Sequence, residues 1–201
     1  MRRRTIAAAL AAAALTAGPA AAVTVVDATR IEITSAVADY IQIAEVFAFE
    51  LDTLDNVASG AEGGTATATG TGFGGPPGGA IDGNADPVYG GHFYHSAGGA
   101  DVLTIFLGRT ATLDSLRIVG RSNCCRNRDA WNVTIFDASN TVLFSGLLDS
   151  RNSPTYDAVA QFDDPTPPVG GIPEPSTWAM MILGFGAAGA AMRSRRRPVA
   201  A

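Results

Sequence analysis

Apolar and polar side chains alternate with a period of two through most of the middle of the chain. Arg30-Ile31-Glu32-Ile33-Thr34 puts its two isoleucines on one face, as a half-buried strand does. Ile41-Gln42-Ile43-Ala44-Glu45-Val46-Phe47-Ala48-Phe49-Glu50 alternates more strongly, turning Ile41, Ile43 and then Val46 or Phe47 toward a core. Its phase changes at Ala44-Glu45, where a bulge is expected. Further strands are predicted at 65–69, 102–107, 111–119, 131–136, 141–144 and 156–162. No stretch between them shows the 3.6-residue period of an amphipathic helix. Seven or eight strands in about 140 residues predict an all-β, antiparallel sandwich.

The breaks between strands differ in kind. Asn56 to Gly79 is rich in Gly, Ala and Thr and ends in Gly72-Phe73-Gly74-Gly75-Pro76-Pro77-Gly78-Gly79. Such a run buries little and is expected as surface loop around the short strand at 65–69. Ala80-Ile81-Asp82-Gly83-Asn84 is a turn signal with an apolar lead-in. An aromatic loop, Tyr89 to His95, and a polar segment, Arg121 to Asp129, complete the set.

Two apolar stretches do not alternate at all, and they lie at the ends. Met1-Arg2-Arg3-Arg4 followed by an alanine-rich run has the form of a secretory signal, with Ala20-Ala21-Ala22 offering a cleavage point before Val23. Residues 1–22 are therefore assigned to the general secretory machinery and signal peptidase. Residues 177–192 form one apolar span; its 16 residues as a helix at about 1.5 Å each reach roughly 24 Å, enough for a thin bilayer core. Gly184, Gly186 and Gly189 suit a membrane helix better than a water-exposed one. Arg193, Arg195, Arg196 and Arg197 follow and hold that end on the cytoplasmic side, while Trp178 marks the opposite interface. The body is thus expected outside the inner membrane.

Charge sharpens the contrast between ends and body. Seven of the fourteen arginines lie in the two termini, and there is no lysine. The remaining seven arginines face eighteen acids, a formal charge of −11 on the body. Nucleic acid and anionic lipid headgroups repel such a surface and are excluded as partners. Residues 163–172, acidic and proline-rich, read as a stiff stalk.

The tail runs Pro173-Glu174-Pro175-Ser176-Thr177-Trp178-Ala179-Met180-Met181-Ile182-Leu183-Gly184-Phe185-Gly186 and ends in the arginine cluster. It closely resembles the PEP-CTERM sorting signal of Gram-negative bacteria, here covering 173–197. The resemblance implies recognition of Pro173, Glu174, Pro175 and Trp178 by an exosortase. It also implies an inner-membrane intermediate and delivery to the cell surface or extracellular matrix. The alternative is a permanent tail anchor, which has no need of the Pro-Glu-Pro.

Within the body, three groups of residues occur in order. They are Arg30-Ile31-Glu32-Ile33 with Ile43-Ala44-Glu45-Val46, then Ala80-Ile81-Asp82-Gly83-Asn84, then Arg121-Ser122-Asn123-Cys124-Cys125-Arg126-Asn127-Arg128. Together they resemble the galactose-binding-like jelly roll of discoidin-type domains, and within it the F-type lectins. The implied domain spans 23–162. That branch binds sugar through a histidine and an Arg-x-Asp followed, after four residues, by a second basic residue. His95, Arg121, Asn123 and Arg128 fall at those positions, His95 lying 26 residues before Arg121. A guanidinium offers a rigid fork of donors to hydroxyls, and a neutral imidazole adds one bond more. The chain departs from the pattern at Asn123, where the family has Asp, and at 102–105, which lacks the family's Trp.

Cys124 and Cys125 are the only cysteines, and an even count in an exported protein suggests a disulfide. In the lectins the resulting ring packs against the apolar face of the sugar; otherwise it stiffens the loop, or the thiols stay free. Asp82 and Asn84 match positions that help hold a structural calcium ion in these lectins. An Asx turn without metal fits Asp-Gly-Asn equally well. Arg126 and Asp129 are expected as a solvated pair. Catalysis is not expected: the two histidines, His92 and His95, share one loop, and neither Gly-x-Ser-x-Gly nor His-Glu-x-x-His occurs. The sequence thus points to an exported surface protein whose domain binds a neutral sugar of the exopolysaccharide. A non-catalytic matrix protein with no sugar site is the rival.

Overall fold

The computed structural model describes residues 23–165 together with residues 182, 183 and 185. Nine strands occur among them: β1 (Val25–Ser35), β2 (Gln42–Ile43), β3 (Glu45–Glu50), β4 (Thr65–Ala68), β5 (Tyr94–His95), β6 (Val102–Val119), β7 (Ala130–Phe136), β8 (Val142–Asp149) and β9 (Asp157–Gln161). Every pairing is antiparallel, and seven strands form one sheet, with β2–β5 as a separate pair. This is consistent with the all-β sandwich that the alternation predicts.

β1 shows why the pattern produces the fold. Ile31 lies between Ile105 of β6 and Ile135 of β7, and Ile33 lies between Leu103 and Val133. All six side chains are fully buried, each contributing about 1.5–3 kcal/mol of apolar transfer. Trp131, Tyr94, Ile41, Ile43, Leu113, Leu116 and Ile118 join them in one core cluster.

β6 is longer than its pattern suggests. The two strands expected at 102–107 and 111–119 are one 18-residue strand. Its first part pairs with β1 and β4, and its last part with β3 and β9, so one strand links both groups. The polar interruption at Gly108-Arg109-Thr110 does not break it, because Arg109 is tied across the chain to Glu50, Asp55 and Glu62 at 2.7–3.1 Å.

The phase change at Ala44 separates β2 from β3. Val46 enters the main core, while Phe47 packs on a smaller cluster with Ala44, Phe93 and Val119. At the other end the chain closes on itself: the Asp163 N–H donates to Val23 O at 2.9 Å, and the Phe162 N–H to Asp114 O at 2.8 Å. The compact unit runs to Asp163.

Residues 1–22, most of the stalk and most of the tail lie outside the described residues. So does most of the expected span 177–192; its described residues Ile182, Leu183 and Phe185 are helical and exposed. No helix among the described residues is long and apolar enough to cross a membrane.

Candidate functional site

The loop that follows β6 is built by backbone ties before any side chain is placed. The Arg121 N–H donates to Asp129 Oδ2 at 3.0 Å, closing residues 121–129 into a ring. The Ser122 N–H donates to Pro87 O at 2.7 Å, fixing the loop to the segment before the aromatic residues. Cys124 and Cys125 are joined by a disulfide. Cys125 takes a left-handed φ of 60° and leads into a 3-10 turn, Arg126–Arg128.

Asp129 is not the solvated partner of Arg126 expected from the sequence. It is 1 % exposed, and burial pushes its carboxyl up to about 7, against the pull of the Arg121 N–H and of Arg126, Arg121 and Arg128. Gly120 stands where it does because a Cβ there would lie 2.7 Å from the Asp129 carboxylate. Arg126 instead donates to the carbonyls of Ser150 and Ser153 and lies over the Tyr156 ring. Chain turns, not the nearby acid, meet its Nη2, while its Nε is buried without a partner.

The loop carries both Arg121 and Arg128 close enough to His95 to act on its charge. Arg121 donates from Nε to Asn123 Oδ1 at 2.7 Å and from Nη1 to Gln42 Oε1 at 2.9 Å, with its face 4.3 Å from the Tyr89 ring centroid. Asn123 thus still orients Arg121, though with a neutral oxygen. Arg128 pairs with Asp39 at 3.1 Å and lies over Tyr40. Tyr40 and Tyr89 flank His95 at centroid distances of 5.3 and 6.0 Å. Asn123 and the disulfide belong to the same loop, so five of the six candidate sugar contacts fall within residues 121–128 and the sixth, His95, is brought to them.

His95 reaches this position through β5, where it is the register partner of Gln42. Its Nδ1 is 2.8 Å from Ser96 O, so Nδ1 carries the proton as donor and Nε2 is left as an acceptor in the neutral ring. Burial holds its pKa below the usual histidine range, the Ser96 carbonyl opposes this, and Arg121 and Arg128 push it lower. The ring is only 4 % exposed. Phe73 covers it at 4.6 Å while itself 73 % exposed.

The glycine-rich run expected as free loop is what allows that cover. His95 N–H donates to Gly75 O at 3.1 Å, and Gly72 N–H to His95 O at 2.8 Å. A Cβ at Gly75 would fall 2.6 Å from His95 N, so only glycine lets the two backbones approach. Loop composition here signals close packing, not looseness.

Asp82 and Asn84 lie in successive Asx turns: Asp82 Oδ1 accepts the Asn84 N–H at 2.9 Å, and Asn84 Oδ1 accepts the Asp86 N–H at 3.1 Å. A third group, missed by sequence reasoning, points at the same turn. Glu45, fully buried on β3, accepts the Gly83 N–H at Oε2 (3.0 Å), while its Oε1 is buried with no partner. Burial pushes its carboxyl up to about 8, with Asp82 adding to the shift against the Gly83 bond. An orphaned carboxylate oxygen close to a second carboxylate, that of Asp82, suits a hard cation, which takes oxygen ligands only. Among the described residues, no three His, Cys, Asp or Glu side chains converge for a metal, so amide and backbone oxygens would complete such a site.

Sequence reasoning also missed Gln42, Tyr40 and Tyr89. Gln42 and Glu45 carried a signal: each is a polar residue inside a run of Ile, Ala and Val.

Comparison with known proteins bears on the tail. Residues 171–197 match the PEP-CTERM protein-sorting motif. The motif implies an exported surface protein sorted by an exosortase, with a membrane-associated step on the way to the surface. No curated protein and no solved structure matches the chain.

Proposed function

We propose that the PEP-CTERM-sorted chain is a non-catalytic, carbohydrate-binding surface or matrix protein, with a galactose-binding-like body as its binding domain. The observation that carries this reading is the convergence of Arg121 and Arg128 on His95, each guanidinium laid on a tyrosine ring. Two of the five N–H groups of Arg121 are used within the protein; the others remain to meet ligand oxygens. Aromatic faces beside such donors suit a sugar, which has hydroxyls on its edges and C–H groups on its faces. Glu45, Asp82 and Asn84 would hold a structural calcium ion that stiffens the turn ahead of the aromatic loop.

The test is retention of the full-length chain, in detergent, on sugar-coated resin, with elution by free monosaccharide. Loss of retention when Arg121 and Arg128 are both changed to Ala supports the site. Retention that survives the double change removes it.

One observation favours the rival reading, a matrix protein without a sugar site: His95 lies under Phe73 and is almost wholly covered. On that reading the chain flows through every sugar resin.

A further inference from the structure

The charges of the body are not evenly compensated. Five of its seven arginines are in ion pairs: Arg30 with Glu32, Arg109 with Glu50, Asp55 and Glu62, Arg117 with Asp157, Arg128 with Asp39, and Arg151 with Asp149. Among the described residues, only Arg121 and Arg126 lack a carboxylate partner, and both lie on the 121–129 loop. Arg126 is occupied by two backbone carbonyls and the Tyr156 ring. Arg121 is held only by neutral oxygens, those of Asn123 and Gln42.

The surroundings do not cancel this charge. The charged groups that act on His95 are Arg121 and Arg128 against Asp39, while all three arginines of the loop act on Asp129. Asp129 lies behind the loop, and its carboxyl meets the Arg121 backbone N–H, not the guanidinium. His95, neutral in this environment, adds nothing. A body whose formal charge is −11 therefore carries a locally positive site around His95. Arg121 is also pre-oriented, clamped at Nε, at Nη1 and on its ring-facing side, so little freedom is lost when a ligand docks.

We propose that this site takes a carboxylated sugar, a uronate, whose carboxylate docks on the unpartnered N–H groups of Arg121. A planar carboxylate matches the guanidinium fork and supplies the charge that Asn123 and Gln42 do not. This differs from the neutral sugar that the lectin resemblance implies, and it rests on the carbohydrate-binding reading above.

The experiment is calorimetric titration of the full-length chain in detergent with five methyl glycosides: galacturonate, glucuronate, the galacturonate methyl ester, galactose and galactose 6-sulfate. One uronate is expected to bind about tenfold more tightly than galactose, the gain of a charge-assisted over a neutral hydrogen bond. Its advantage should shrink as salt is raised. The ester should lose the advantage with no change to the protein. Asn123→Asp, which places a carboxylate on Arg121 Nε, should lower the uronate-to-galactose ratio toward one. Galactose binding as tightly as both uronates, or an ester that binds as tightly as its free acid, overturns the proposal and leaves the carbohydrate reading intact. Binding of a 6-sulfated galactoside in preference to either uronate overturns it in favour of sulfate. Failure of every glycoside to bind overturns both.

Discussion

Gln42 and His95 face one another across the β2–β5 pair, and Gln42 Oε1 also holds Arg121 Nη1 at 2.9 Å. One buried amide thus joins the histidine strand to the arginine loop. Its Nε2 is buried without a partner, so Gln42→Leu deletes an unsatisfied donor along with the acceptor for Arg121. Melting temperature is expected to change little, while sugar retention weakens about tenfold, the scale of a lost hydrogen bond to a charged group. Thermal melting and affinity chromatography on the same preparation check both halves.

Gly120 and Asp129 close the same loop from behind. Gly120→Ala forces a Cβ against a buried carboxylate and is expected to cost about 1–3 kcal/mol, as overpacking does. The melting temperature should fall by several degrees. Asp129→Asn keeps the shape and should be milder. Equal stability of Gly120→Ala and wild type would show that the loop is not clasped there.

The raised carboxyls predict an unusual pH dependence for the calcium-free protein. Glu45 moves from 4.5 to about 8 and Asp129 from 3.8 to about 7 on folding. Each binds its proton more tightly folded than unfolded, so its contribution is complete below the unfolded value and is lost as pH rises through the folded one. Melting temperature should therefore fall between about pH 4 and pH 8. Glu45→Gln, which cannot ionise, should flatten the upper part of that slope in chelator-treated protein.

Calcium would invert the behaviour of Glu45. A cation that binds only the folded state at about one hundred times its dissociation constant adds about 2.7 kcal/mol. Wild type should melt higher in calcium than in chelator, and most clearly near pH 8, where Glu45 is ionised. Glu45→Gln should lose that gain. A melting temperature indifferent to calcium in wild type leaves Asp82 and Asn84 as plain Asx turns.

The tail makes a prediction in the cell. Ending the chain after Pro175 removes the apolar stretch and the arginines but leaves the export signal and the body. The protein is expected in the medium, unprocessed at its C-terminus and unattached. Fractionation with antibody detection reads the outcome; unchanged membrane retention would contradict exosortase sorting.

Much of the fold was legible because an exposed strand face has to alternate. β1, β4, β7 and β9 fall within a few residues of their expected bounds. What periodicity missed is physically distinct. β5 has two residues, too few to show a period, and it forms because the glycine run opposite can approach it. β6 looked broken at Gly108-Arg109-Thr110 because three acids distant in sequence hold Arg109 in line. At the site, the lectin resemblance picked out His95, Arg121, Asn123 and Arg128. It was blind to Gln42, Tyr40 and Tyr89, which act through contacts between segments far apart in the chain.

The bond between Asp163 and Val23 brings both exits of the body to one pole. β1 leaves that pole and runs ten residue steps, about 33 Å at strand spacing, to Ser35, whose hydroxyl accepts the N–H of Asp39, the partner of Arg128. The described body thus begins and ends side by side, and the Asp39–Arg128 pair is tied to the end of β1 remote from that junction.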